Sequence, residues 1–263
     1  MKLPLFQVDA FAEKLFKGNP AAVVPLEHWL DDQLMQAIAM ENNLPETAFF
    51  VPSQSGFEIR WFTPKAEVKL CGHATLATAH VIFEEAAYPD DEITFGSKSG
   101  LLQVRKTGDL LQLNFPADKL SPVDVPNLII KALKKLPEAC FKGRSDYLFV
   151  YPSEKEIREM NPDFTILAKT DARGIIVTAP GDEVDFVCRF FAPKVGVNED
   201  PVTGSAHTTL TPYWAKRLGK TTFKARQLSQ RGGELICTLQ DDRVLIAGKT
   251  KTYLRGEIFV ELE

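Results

Sequence analysis

The 263-residue sequence predicts an α+β protein built as two pseudo-symmetric halves. Three observations predict it. Most of the chain falls into short apolar or alternating runs separated by Gly, Pro, Asn and Asp, the pattern of strands and turns. Only a few segments carry apolar residues at helical spacing. Segments of the first half also return in the second at a constant offset.

In chain order, strands are predicted over Pro4–Asp9, Ala21–Val24, Ala48–Val51, Phe57–Phe62, Glu92–Phe95, Leu101–Arg105 and Leu110–Phe115. Between them a helix is predicted over Asp31–Glu41, where Leu34, Met35, Ile38 and Ala39 recur at helical spacing behind acids in the first turn. A second covers Gly72–Ala87, with Leu76, Ala77, His80, Val81 and Phe83 within one broad face. Pro116, Pro122 and Pro126 stand among polar residues after a strand and divide the chain into 1–117 and 118–263, the last strand being able to pack on the first half. A weaker helix follows over Val125–Leu136. Strands are then expected at Asp146–Val150, Gly174–Thr178, Val184–Phe191, Thr222–Leu228, Glu234–Leu239, Val244–Ala247 and Arg255–Glu261. A helix over Ser205–Leu218 ends on Lys216, Arg217 and Gly219, a stop signal. Pro212 predicts a kink in it, because proline removes one backbone donor.

The repeat is the most informative feature. Arg60-Trp-Phe-Thr-Pro-Lys is echoed by Arg189-Phe-Phe-Ala-Pro-Lys, and Cys71-Gly-His-Ala-Thr by Thr203-Gly-Ser-Ala-His-Thr. Gly72 and Gly204, Ser97 and Ser229, and Gly100 and Gly232 are all 132 residues apart. The Arg pair is 129 apart, so the second half carries three extra residues, in the stretch containing Asn198-Glu-Asp-Pro201. Two similar domains facing each other leave a cleft, and ligand sites often lie at such interfaces. Each half offers one helix start with unpaired N–H groups and a positive dipole end, Gly72-His73-Ala74 and Gly204-Ser205-Ala206. Facing each other, these starts suit a carboxylate and the negative charge that develops beside it.

Composition narrows the function. Apolar residues make up 44% and charged residues 25%, as in folded soluble proteins. The net charge of −4 has no basic block, which argues against nucleic acid as a partner. No apolar run approaches the roughly 20 residues that span a bilayer. The N-terminus reaches Asp9 too early for a signal peptide, so the expected compartment is the cytoplasm. The four cysteines form no CxxC pair and are expected as free thiols. The four histidines lack ligand spacing, so no metal is expected. No phosphate-cradling loop and no GxGxxG follow a strand, so no nucleotide cofactor is expected.

Taken together, Gln7-Val-Asp-Ala-Phe, Gly18-Asn-Pro-Ala-Ala-Val, Glu41-Asn-Asn-Leu-Pro-Glu-Thr-Ala-Phe, Arg60-Trp-Phe-Thr-Pro, Cys71-Gly-His-Ala-Thr and Asp200-Pro-Val-Thr-Gly-Ser-Ala-His resemble the phenazine biosynthesis protein F-like isomerases of the diaminopimelate epimerase superfamily. The resemblance implies two β-barrel-like halves, each around a central helix, a homodimer, and a cofactor-free isomerisation by proton transfer on a small carboxylate metabolite. It implies Glu46 as the acid/base, with His73, Asp200 and Ser205 beside it. Gly72, Ala74, Thr203, Gly204 and Cys71 complete the expected substrate site. The superfamily's epimerases use two thiols, one before each helix-starting glycine. Here the second position is Thr203, whose hydroxyl is far too weak an acid to replace a thiol.

Each residue also has a plainer reading. Glu46 could be a solvated loop glutamate, His73 a packed helix-start histidine, Asp200 a turn cap, Ser205 an N-cap and Cys71 a small buried hydrophobe. His28, His80 and His207 read as structural. Two other functions stay open: amino-acid epimerisation or racemisation, and a non-catalytic metabolite-binding protein.

Overall fold

The computed structural model describes residues 1–86 and 88–261. In chain order the first elements are β1 (Lys2–Ala10), β2 (Asn19–Pro25), α1 (Asp32–Asn42), β3 (Glu46–Ser53), β4 (Gly56–Phe62), β5 (Glu67–Val68), α2 (Gly72–Glu85), β6 (Glu92–Ser97), β7 (Gly100–Thr107) and β8 (Leu110–Pro116). There follow β9 (Ser121–Pro122), α3 (Asn127–Leu133), β10 (Ala139–Lys142), β11 (Asp146–Val150), α4 (Glu154–Glu159), α5 (Phe164–Leu167), β12 (Gly174–Pro180) and β13 (Phe186–Phe191). The chain closes with α6 (Gly204–Leu218), β14 (Thr222–Gln227), β15 (Gly233–Gln240), β16 (Arg243–Gly248) and β17 (Thr250–Phe259). Strands dominate and helices are few, the α+β class expected. Two compact units emerge, one of Met1–Asn114 with Ala247–Glu263 and one of Phe115–Ile246.

In the first unit, β1 lies between β17 and β2, antiparallel to both, with a bulge at Gln7/Val8. β2 runs parallel to β3, so Ala21 pairs with Glu46. The sheet continues through β4, β6 and β7. α2 packs against β1, β2, β3, β7 and β17. It is buried on nearly every side, not on one broad face, because Ala74, Ala77 and Ala79 let strands approach where larger residues would not. A helix apolar all round belongs in a core. Its two threonines are satisfied locally, Thr75 Oγ1 donating to the Cys71 carbonyl and Thr78 Oγ1 to that of Ala74. The helix ends at Glu85; Ala87, the end expected from sequence, lies outside the described residues.

In the second unit β9 to β15 pair in chain order, parallel at β11–β12 and β13–β14 and antiparallel at β9–β10, β10–β11, β12–β13 and β14–β15. The core of α6 is Trp214, fully buried, stacked on Phe186 at 5.6 Å and donating from Nε1 to Thr178 Oγ1. Burying such a ring contributes about 1.5–3 kcal/mol. α6 continues through Pro212. The carbonyl that loses its helical donor there is that of Thr208, and it accepts the Asp118 N–H at 3.0 Å instead.

Several elements differ from the sequence expectation. α3 stops at Leu133, where Lys134 takes a left-handed conformation. α4 and α5 were not expected; they are short, and depend on the Ser153 and Asp163 side chains accepting the N–H groups of Glu156 and Ile166. β17 begins at Thr250, five residues before the predicted strand.

Candidate active site

Glu46 opens β3 and is only 18% exposed at its side chain, so it is not a solvated loop glutamate. The α1 C-cap Asn43 is left-handed (φ 48°), and this turn delivers the chain to Glu46 beside Ala21 of β2. Cys71 is the extended residue before α2, and His73 is the helix's second residue, 6% exposed. Glu46 Oε2 lies 3.1 Å from His73 Nε2. On the other edge of the ring, Nδ1 faces Cys71 Sγ at 3.5 Å and Asn19 Nδ2 at 3.2 Å. Gly72, His73 and Ala74 form the first turn of α2, whose N–H groups have no acceptor within the helix.

Burial, with the Glu46 carboxylate nearby, pushes the Cys71 thiol up, so the sulfur carries its proton at neutral pH. Burial works to lower the His73 imidazole, while charge on Cys71 and Glu46 raises it, and the raising side prevails. With Cys71 held as S–H, the sustained upward pull comes from Glu46.

Glu46, Cys71 and His73 are of metal-ligating types, and one donor atom of each lies within 4.8 Å of the others. The thiol and carboxylate, however, sit at opposite nitrogens of one ring.

In the second unit, Thr203 holds the position before α6 and Ser205 is exposed within its first turn. Thr203, rather than Ser205, is therefore the cap residue, and no side chain caps this helix. Thr203 Oγ1 donates to Asp200 Oδ2, and its N–H donates to Gln227 Oε1 at 2.9 Å. Gln227 Nε2 donates to the Asp200 carbonyl at 2.8 Å and to Thr203 Oγ1 at 3.1 Å. His207 is fully buried; Nδ1–H donates to the Thr203 carbonyl at 2.9 Å, and burial lowers its pKa to about 4. His80 bonds Thr250 and Thr252 through its two nitrogens, a packing role.

Thus Glu46, Cys71, Gly72, His73 and Ala74 gather in the first unit, and Asp200, Thr203, Gly204 and Ser205 in the second. Sequence reasoning assigned no role to Asn19 or Gln227. Asn19 stood in a segment singled out for resemblance, which was a usable signal. Gln227 had none, since the residue 132 positions earlier is Phe95.

The family model for phenazine biosynthesis-like proteins (PhzC-PhzF) matches residues 8–257. An uncharacterized isomerase of Pseudomonas aeruginosa is 50% identical over 258 residues, covering 98% of this chain and 99% of its own. The crystal structure of a PhzF-family phenazine biosynthesis protein from Enterococcus faecalis superposes with a TM-score of 0.97 at 47% identity, covering 99% of this chain and 100% of that one. A predicted epimerase from Pseudomonas aeruginosa shares the fold, with a TM-score of 0.72 at 21% identity and coverage of 98% and 100%.

Proposed function

The chain belongs to the phenazine biosynthesis-like family of isomerases, and we propose that it shifts a proton and a double bond on a small carboxylate metabolite, with Glu46 as the acid/base. The observation that carries this reading is the contact of Glu46 Oε2 with His73 Nε2 at the buried start of α2. His73 occupies one carboxylate oxygen and leaves the other to take a proton from one substrate carbon and return it to another. Every proton in this scheme moves on protein groups, so the scheme uses no cofactor.

The N–H groups of Gly72, His73 and Ala74, which have no acceptor within the helix, suit a substrate carboxylate or the enolate charge that develops as the proton leaves. In the second unit the proposal assigns the Gly204 backbone and Ser205 to an anionic group of the substrate, and Asp200 with Thr203 to an amine or hydroxyl. Racemisation by two bases is the weaker reading. The Thr203 hydroxyl is already engaged by Asp200 and Gln227, and Cys71 carries its proton. We also keep a homodimer as an expectation, for sedimentation to settle.

The test is turnover of trans-2,3-dihydro-3-hydroxyanthranilate followed by absorbance, with Glu46→Gln beside the parent. Loss of a general acid/base costs about 10²- to 10⁴-fold. A Glu46→Gln variant with the parent's kcat ends the assignment. If the parent is inactive on this compound, other small unsaturated acids are screened by solvent deuterium uptake, and the same variant is read there.

A further inference from the structure

We propose that Asn19 is a positioning residue that holds the His73 ring neutral, with its single proton on Nε2, the nitrogen 3.1 Å from Glu46 Oε2. This rests on the reading of Glu46 as the acid/base, and it adds what sets the state of that residue's partner.

Asn19 is fully buried at the start of β2, in register with Ala10 of β1. Its amide nitrogen is 3.2 Å from His73 Nδ1, fifty-four residues away in sequence. An amide N–H can only donate, so Nδ1 must accept and carries no proton. Cys71 Sγ, 3.5 Å from the same nitrogen, is a thiol and supplies a second donor. Two donors on one edge of the ring leave the proton on the other, at Nε2, 3.1 Å from Glu46 Oε2.

The titratable groups facing the ring are Glu46 and Cys71; with Cys71 held as a thiol, it is the Glu46 charge that favours an imidazolium. An imidazolium would hold Glu46 in a full ion pair and weaken it as a base. Asn19 opposes that outcome: protonating Nδ1 would set two N–H groups against each other in a buried site. Pro20 locks the backbone φ next to Asn19, and Gly18 precedes it at φ +69° with its α-carbon against the Ala10 carbonyl, so the amide is held on a stiff turn. Holding a histidine's tautomer through its second nitrogen is a general device, and losing such a partner typically costs 10- to 100-fold in activity.

The test is ¹⁵N NMR of the four histidines in the ligand-free full chain, with His73→Gln assigning the His73 signals. The parent is expected to show His73 with a bare Nδ1 and a protonated Nε2 from pH 6 to 8. Asn19→Asp, whose carboxylate accepts where the amide donates, is expected to convert His73 to the imidazolium at pH 7. It should also lower kcat about 10- to 100-fold and move the pH–rate profile, whereas a loss of folding alone would leave the profile's midpoints in place. An imidazolium or an Nδ1-protonated ring in the parent overturns the proposal. So does an Asn19→Asp spectrum identical to the parent's. If that variant fails to fold, Asn19→Leu, similar in size and without any donor to Nδ1, is read in the same way. Because the spectra need no substrate, failure here is separable from failure of Glu46 as the acid/base.

Discussion

Replacing His207 with Gln should flatten the protein's loss of stability in weak acid. His207 is buried at the start of α6, with Nδ1–H spent on the Thr203 carbonyl and Nε2 facing Cys188 Sγ at 3.8 Å. Burial pushes that thiol well above its ordinary pKa, so it is no anion and offers an imidazolium nothing. The folded pKa of about 4 therefore lies below the 6.5 of an unfolded histidine. The unfolded chain takes up the proton first as pH falls, so this site's share of stability is intact above pH 6.5 and shrinks down to about pH 4. Linkage puts the loss at about 2 kcal/mol between pH 7 and pH 5, from a total of about 3. Urea unfolding followed by tryptophan fluorescence, at steps between these pH values, gives the difference in unfolding free energy between parent and His207→Gln. The variant is expected to be the less stable at pH 7, and the gap to close by about 2 kcal/mol at pH 5. A gap that stays constant within about 0.5 kcal/mol refutes the buried neutral histidine.

Three further outcomes are expected. Gly18→Ala places a Cβ 2.1 Å from the Ala10 carbonyl oxygen at a φ of +69°; the strain and clash together should cost more than about 2 kcal/mol in urea unfolding. Cys71→Ser should keep kcat within about tenfold of the parent, because the thiol supports His73 and moves no substrate proton; a loss beyond about 10³-fold would instead make the thiol an acid/base. Thr203→Val strips Asp200 and Gln227 of a shared hydroxyl, and unfolding should show a loss of about 1–3 kcal/mol, with no loss marking the hydroxyl as idle.

Much of this protein was legible from local pattern. The two helix starts at Gly72 and Gly204 fall where the repeat placed them. The repeated arginines each make a two-pronged ion pair, Arg60 with Glu67 and Arg189 with Glu199. Family resemblance, rather than pattern, drew attention to Glu46, because most glutamates are exposed and nothing local marks this one as buried. What stayed illegible depended on contacts distant in sequence. The helices α4 and α5 are too short for periodicity to register and rest on a single capping side chain each. Pro212 predicted a defect in α6, yet its consequence was decided by Asp118, whose N–H fills the vacant carbonyl.

The sequence by itself determined the sheet-rich α+β class, the repeat, the glycine-led helix starts and, through resemblance, the family. Those are properties of short segments, carried by turn residues, side-chain alternation and spacing. Only the tertiary structure decided that α2 is buried on nearly every side and that His73 stands between a carboxylate and a thiol, with Asn19 behind it. Ring orientation and proton placement follow from donors and acceptors brought together across β1, β2, β3 and α2, and no spacing along the chain encodes which nitrogen meets which partner.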